Sequence, residues 1–132
     1  MNKLRIGITG SKLYESKIKI KEFIFNLRKQ HQGDIEIVSL GDQFGADKYV
    51  KRYALEFGYL YREMNPAHTN KNLYSVMNEG WYGKPYSHKN TFLRDKLFAQ
   101  MVDVAVVFQA DKKTDNIIKQ FHKLNKKIVV IG

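Results

Sequence analysis

The sequence contains no cysteine, which excludes disulfide bonds and metal sites built on thiolates. Proline is scarce, with two residues, and there is a single tryptophan. No apolar run approaches the roughly 20 residues that a membrane-spanning helix needs, and the opening residues MNKLRIGITG are too short and too polar for a signal peptide. We therefore expect a soluble protein of the cytoplasm that has no membrane partner.

Acidic residues are also scarce relative to basic ones: 13 Asp and Glu stand against 23 Lys and Arg, a formal net charge of +10. This imbalance favours anionic partners such as nucleotides, nucleic acids or phosphorylated metabolites. The basic residues are spread along the chain without an arginine-rich tail, so they could equally serve solubility. With 43% apolar and 13% aromatic residues, the 132 residues predict one folded domain spanning 1–132.

Apolar periodicity alternates between strand and helix patterns. We expect strands at 4–9, 35–39, 59–62, 104–108 and 128–131, and helices at about 15–31, 46–57, 91–101 and 112–127. The uninterrupted apolar runs at 104–108 and 128–131 suit central strands that are covered on both faces. Right-handed crossovers then predict an α/β fold: a Rossmann-like, doubly wound parallel sheet of about five strands in the order 3-2-1-4-5. Ligands of such sheets bind at the carboxyl ends of the strands, at the switch point between strands one and four.

The long loop 65–89 interrupts this alternation. A loop of that length in so small a domain is usually functional or disordered, and its aromatic residues argue against disorder. Trp81, Tyr82 and Tyr86 could stack on a base or pack the loop down. Because aromatic residues are enriched at interfaces, we expect part of this functional loop to pack against a neighbouring subunit of a homo-oligomer.

The turn after strand one carries groups that suit a phosphate. The backbone N–H groups of Gly10 and Ser11, the Ser11 hydroxyl and the Lys12 ammonium could hold one. The same triplet also suits an ordinary strand-to-helix turn. Arg94, early in its helix, could grip a phosphate through both guanidinium edges or be a surface arginine.

The loop after strand two carries groups that suit a sugar. Gly41 and Gly45 allow close approach to the backbone. Asp42 and Asp47 flank a helix start and would repel phosphate, although they would stabilise the helix dipole. We interpret Asp42 as a ribose contact and Asp47 as a helix-start residue; the alternative is that both only cap the helix. Neither the histidine spacing nor any serine motif indicates a metal, a cofactor or a nucleophile.

Taken together, these motifs resemble the SLOG superfamily. The matching segments are G-S-K at 10–12, G-D-Q-F-G-A-D at 41–47, P-A at 66–67, Y-G-K at 82–84 and R-D at 94–95. They resemble in particular its small stand-alone YspA-type branch, whose pattern is roughly G-S-R, G-G-A-x-G-A-D, P-A, Y-G-K, R-N and G-T. The superfamily also includes the DNA-processing protein A and the LOG phosphoribohydrolases.

The resemblance implies a Rossmann-like fold that binds nucleotides or nucleotide-derived ligands and commonly self-associates. The ligand-binding residues that follow from it and from the loop chemistry are Gly10, Ser11, Lys12, Gly41, Asp42, Gly45, Asp47, Pro66, Tyr82, Gly83, Lys84, Arg94 and Thr114. The sequence departs from the pattern at Asp42 for glycine, Asp95 for asparagine and Lys113–Thr114 for G-T. The P-G-G-x-G-T-x-x-E motif of the LOG enzymes, with its catalytic glutamate, is absent.

Three functions follow from these features. The first is binding of a nucleotide or nucleotide-derived small molecule, as a sensor, a ligand sink or a weak N-glycosidic hydrolase. The second is nucleic-acid binding related to the DNA-processing branch, which the lysine-rich helix at 112–127 favours. The third is an enzyme similar to nucleoside deoxyribosyltransferases or phosphoribohydrolases, with Asp42 or Asp95 as the catalytic carboxylate.

Overall fold

The computed structural model describes residues 3–31, 33–64, 71–83 and 88–132. These ranges contain the strands β1 (Leu4–Gly10), β2 (Ile35–Ser39), β3 (Leu60–Glu63), β4 (Val104–Phe108) and β5 (Lys127–Ile131). They also contain the helices α1 (Lys17–Gln30), α2 (Ala46–Glu56), α3 (His88–Met101) and α4 (Lys112–Lys123), and a 3-10 turn at Glu79–Trp81. No helix in these ranges is long and apolar enough to cross a membrane.

The strands form a parallel sheet in the order β3-β2-β1-β4-β5. Both the sheet and its order were predicted, and both are confirmed. The strand bounds agree with the prediction to within a residue. α3 begins at His88, earlier than expected. α4 ends at Lys123, also earlier than expected, because Asn125 adopts a positive φ of 54°, which is incompatible with a right-handed helix.

Two helical layers cover the sheet. α1 and α2 pack on one face through residues such as Ile24 and Val50, against Ile6 and Ile37 of the sheet. α3 and α4 pack on the other face. There Phe98 lies directly against Gly7 of β1, where a Cβ would come within 2.5 Å of its ring. α3 therefore packs over β1. Because α3 ends at Met101, just before β4 begins at the amino edge of the sheet, the start of α3 lies toward the carboxyl edge.

The expectation that the last strand is covered on both faces is wrong. β5 is an edge strand, and the exposed fractions of Val129 and Val130 are 38% and 49%. Ala105 and Val107 of β4, with a strand on either side, are fully buried. An apolar run of this length indicates a strand but does not indicate whether the strand lies at the centre or the edge of the sheet.

The described part of the long loop folds back on its own sheet. Tyr74 O accepts a hydrogen bond from Glu63 N at 2.9 Å, and Val76 N donates to Glu63 O at 3.1 Å, so this segment runs alongside the end of β3. Trp81 and Tyr82 then pack, half-buried, against the core under α3 and α4. Packing of the loop against a neighbouring subunit remains a prediction.

Candidate functional site

The loops after β1 and β2 are held together at Gly45. Ala46 N donates to Ser11 O at 3.1 Å. A Cβ at Gly45 would lie 2.3 Å from Ser11 O and 2.5 Å from the carbonyl carbon of Lys12, and Gly45 has a φ of +70°. The close backbone approach predicted here is therefore made by the chain's own first loop, which makes Gly45 a structural requirement.

A largely buried ammonium at the start of α4 joins that helix to the loops after β1 and β2. Lys113 Nζ donates to Gly10 O at 2.9 Å and to Asp47 Oδ2 at 3.2 Å, and it forms an ion pair with Asp42 Oδ2. Asp47 also accepts hydrogen bonds from the Thr9 hydroxyl at 2.7 Å and from Asp42 N at 3.2 Å. We call these residues (Thr9, Gly10, Asp42, Asp47 and Lys113) the Lys113 cluster.

The electrostatics of this cluster follow from its burial. Burial raises the pKa of Asp47 above its usual value, against the opposing effect of the Lys113 ammonium. Burial alone would lower the pKa of Lys113, but the charges of Asp47 and Asp42 outweigh it and raise that pKa. Lys113 therefore stays protonated, and its three N–H donors all have acceptors within the cluster.

A second buried polar group lies on α3 and α4. Arg94 Nη2 pairs with Asp95 Oδ1 at 3.2 Å, and Asn116 Nδ2 donates to Asp95 Oδ2 at 3.2 Å. Burial raises the pKa of Asp95, although Arg94, Asn116 and the charge of Lys113 oppose the shift. Arg94 is 6% exposed, and its Nε has no hydrogen-bond partner within the described residues.

The amino end of α4 is capped by the chain itself. Asp111 Oδ1 accepts from Thr114 N at 3.3 Å, and the Thr114 hydroxyl accepts from Asp111 N at 2.9 Å. This reciprocal capping box satisfies backbone donors that a phosphate would otherwise use. Thr114 is fully buried within it.

The other predicted ligand-binding residues lie in different settings. Ser11 is buried, and its hydroxyl accepts from Leu13 N at 3.0 Å, whereas Lys12 is exposed. Gly41 and Gly83 adopt positive φ values of 75° and 76°. Tyr82 accepts a hydrogen bond from a backbone N–H of the long loop. The predictions for Pro66 and Lys84 fall outside the described residues.

Sequence reasoning gave Lys113 no role in the site. The signal that could have identified it is its position in the first turn of α4, where the helix dipole disfavours a cation. A lysine at such a position indicates an ion pair inside the fold when carboxylates lie at the same edge of the sheet, as Asp42 and Asp47 do here. Among the described residues, no group of three His, Cys, Asp or Glu side chains could hold a metal ion.

Comparisons with known proteins place this geometry on a known fold. Neither a protein-family model nor a curated protein matches the sequence. The molybdenum cofactor binding protein from Rippkaea orientalis superimposes with a TM-score of 0.74 at 15% identity, over 98% of this chain and 77% of that one. DNA processing protein A from Helicobacter pylori gives 0.70 at 19% identity, over 96% of this chain and 64% of that one.

The Moco carrier protein from Chlamydomonas reinhardtii gives a TM-score of 0.67 at 15% identity, over 99% of this chain and 77% of that one. These neighbours have SLOG-type folds, and this chain shares their fold. The resemblance stated from the motifs is therefore confirmed at the level of the fold, since identities this low carry no more than that. The chain spans slightly less than two thirds of the length of the DNA processing protein.

Proposed function

We propose that the chain binds a nucleotide or a nucleotide-derived small molecule at the carboxyl edge of β1 and β4. The observation that carries this proposal is Arg94, whose guanidinium is almost fully buried while its Nε lacks a partner within the described chain. A buried donor without an acceptor costs about 1–3 kcal/mol. An anionic oxygen of a ligand would remove that cost by accepting a hydrogen bond from Nε. Arg94 lies four residues before Phe98 on α3 and therefore toward the carboxyl edge, where such a ligand would bind.

The groups around this edge divide between a phosphate and a sugar. Lys12 is exposed beside the Gly10–Ser11 turn and supplies an accessible positive charge. Asp42 Oδ2 is held by Lys113, while its Oδ1 makes no hydrogen bond within the described residues, which suits a ribose hydroxyl. The Lys113 ammonium offsets one of the two carboxylate charges of Asp42 and Asp47, which weakens their repulsion of an approaching anion. Two of the similar structures are named for binding or carrying a molybdenum cofactor, which supports a small-molecule site on this fold.

Calorimetry with a panel of nucleotides tests the proposal. Lys12→Ala should weaken an anionic ligand by about 1.5–3 kcal/mol, the range for a hydrogen bond to a charged group. Lys29→Ala, an exposed lysine at the end of α1 and at the opposite edge of the sheet, is the matched control. Arg94→Ala is unsuitable because it would leave Asp95 buried without its cation. The proposal fails if no nucleotide binds, or if both lysine variants bind equally well.

Nucleic-acid binding is the second candidate, and the burial of carboxylates favours it. Glu36, Asp47, Glu63 and Asp95 are each 4% exposed or less, so fewer carboxylates reach the surface than the composition indicates, and each of these four is paired with a lysine or arginine. The similar DNA processing protein A is described as binding single-stranded DNA. A gel-shift titration separates the two candidates, because binding through phosphate contacts weakens steeply as salt rises. Binding of oligonucleotides that is insensitive to salt would contradict this candidate.

Catalysis on an N-glycosidic bond would depend on Asp42 rather than Asp95. The side chain of Asp95 is 3% exposed and both of its oxygens are hydrogen-bonded. That of Asp42 is 12% exposed, and its Oδ1 has no hydrogen-bond partner among the described residues. Chromatographic detection of base release from nucleosides and nucleotides tests this hydrolase or transferase activity. Release that persists unchanged in Asp42→Asn would remove Asp42 from the reaction.

A further inference from the structure

A hollow lies between α3 and the segment that follows β3. Its volume is about 290 Å³, and its lining includes Met64, Met77, Asn78, Trp81, Leu97 and Met101. None of its lining residues in the described part of the chain is charged, although 27% of the sequence is. The described lining of the hollow is therefore neutral, in a chain whose formal net charge is +10.

A second hollow adjoins the first. Its volume is about 360 Å³; it shares Asn78 and Trp81 with the first hollow and adds Gly80 and Asn90. Trp81 and Asn78 thus border both hollows; the first hollow adds methionine and leucine side chains, and the second adds the carboxamide of Asn90. We call the two hollows together the Trp81 cleft.

The tryptophan of this cleft is held in place by a closed turn. Trp81 N donates to Asn78 O at 2.9 Å, and Tyr82 N donates to Glu79 O at 3.1 Å. The Tyr82 hydroxyl closes the turn by accepting from Met77 N at 3.2 Å. The indole is half-buried against the core under α3 and α4. A platform fixed in this way loses little conformational freedom when a ring stacks on it.

We propose that the Trp81 cleft is a binding site for a neutral, planar nitrogen heterocycle of nucleobase size. The indole face stacks on aromatic rings, and the methionine sulfurs make favourable contacts with ring edges. The carboxamides of Asn78 and Asn90 each offer a donor and an acceptor, the pair that recognises the edge of a base. Neither carboxamide has a hydrogen-bond partner within the described residues.

The uncharged lining also separates this site from the one at the carboxyl edge. A phosphate would find no cation on the described walls of the cleft, so the cleft favours a neutral ring. At the carboxyl edge, by contrast, Lys12 and Arg94 favour an anionic ligand. The inference does not depend on the proposed function, and the two can fail independently.

The test uses adenine, guanine and uracil, which carry neither sugar nor phosphate. Trp81 is the one tryptophan of the chain, so its fluorescence reports the cleft directly. We expect saturable quenching, stronger with the purines because they cover more of the indole. In calorimetry, Leu97→Gln should weaken purine binding about tenfold, since it replaces an apolar wall by a polar one. Leu93→Gln is the control: the exposed fractions of Leu97 and Leu93 are 39% and 37%, but Leu93 does not line the cleft.

Three results would overturn the proposal. The first two are the absence of saturable quenching by any of the three bases at millimolar concentration and equal binding by the two leucine variants. A dimer in light scattering that Leu97→Gln dissociates and Leu93→Gln does not would also overturn it, because the cleft would then be covered by a second copy of the chain. Lys12→Ala should leave base binding unchanged. A loss of nucleotide binding alone therefore points to the carboxyl edge, and a loss of base binding alone points to the cleft.

Discussion

Among single substitutions of polar residues in this protein, Lys113→Met should be one of the most destabilising. The methionine keeps most of the apolar stem but removes the ammonium from Asp42, Asp47 and the Gly10 carbonyl. Removing one partner of a buried ion pair costs about 3–5 kcal/mol, because the other charge is left without compensation. The Asp47 side chain is fully buried, while those of Lys113 and Asp42 are 16% and 12% exposed. Since Asp42 can turn to water, we expect a loss near the lower limit, about 3 kcal/mol.

The measurement is urea unfolding followed by far-ultraviolet circular dichroism at neutral pH. With the slopes usual for small proteins, the loss lowers the midpoint by about 1–2 M. Lys112→Met is the matched control, because the preceding lysine lies exposed in the same helical turn and should change stability by less than about 0.5 kcal/mol. Combining Lys113→Met with Asp47→Asn should recover part of the loss.

The pH dependence of this variant provides a second check. Burial raises the pKa of Asp47, and the Lys113 ammonium opposes that shift. In Lys113→Met the pKa of Asp47 therefore lies above its value in the wild type. The carboxyl therefore becomes neutral at a higher pH, and the deficit of Lys113→Met against wild type should shrink as the pH falls toward 4. Equal stabilities of Lys113→Met and Lys112→Met at neutral pH would refute the view that a buried ion pair organises this edge.

Three further predictions concern the fold. Gly45→Ala should lower the free energy of unfolding by at least about 1–3 kcal/mol in a thermal melt, because the backbone conformation at Gly45 favours glycine and the new Cβ would clash with the first loop. Gly80→Ala is the control: its Cβ would meet nothing within 4 Å, so the same melt should show almost no change. Lys126→Ala should cost about 1.5–3 kcal/mol, because Nζ donates to three backbone carbonyls at the end of α3; urea unfolding should show little change for the exposed Lys127→Ala. Burial raises the pKa of Tyr61 well above its usual value of about 10. The unfolded chain alone then loses this proton, so stability should fall as the pH rises above about 10, and the fall should be smaller in Tyr61→Phe.

The order of strands and helices was determined by local pattern. Apolar alternation with a period near two or near 3.6 residues depends only on neighbours in the chain, so it is readable before folding. Alternating strands and helices, with right-handed crossovers, then leave few topologies, and the order 3-2-1-4-5 follows. The same reasoning brings Gly10 and Asp42 to one edge, because parallel strands end on the same side of the sheet. The SLOG-type motifs gave the same fold.

Tertiary structure alone decided what each of these residues does at that edge. Gly45 allows the first loop to pack close, a contact that local sequence does not encode. Asp47 and Arg94 read equally well as surface residues or as buried ones, since burial depends on which helix covers them. Lys113 meets Asp42 and Asp47 across more than 60 positions of the sequence. Such partners are set by long-range packing, because a side chain's charge is visible in the sequence while its dielectric surroundings exist only in the folded chain.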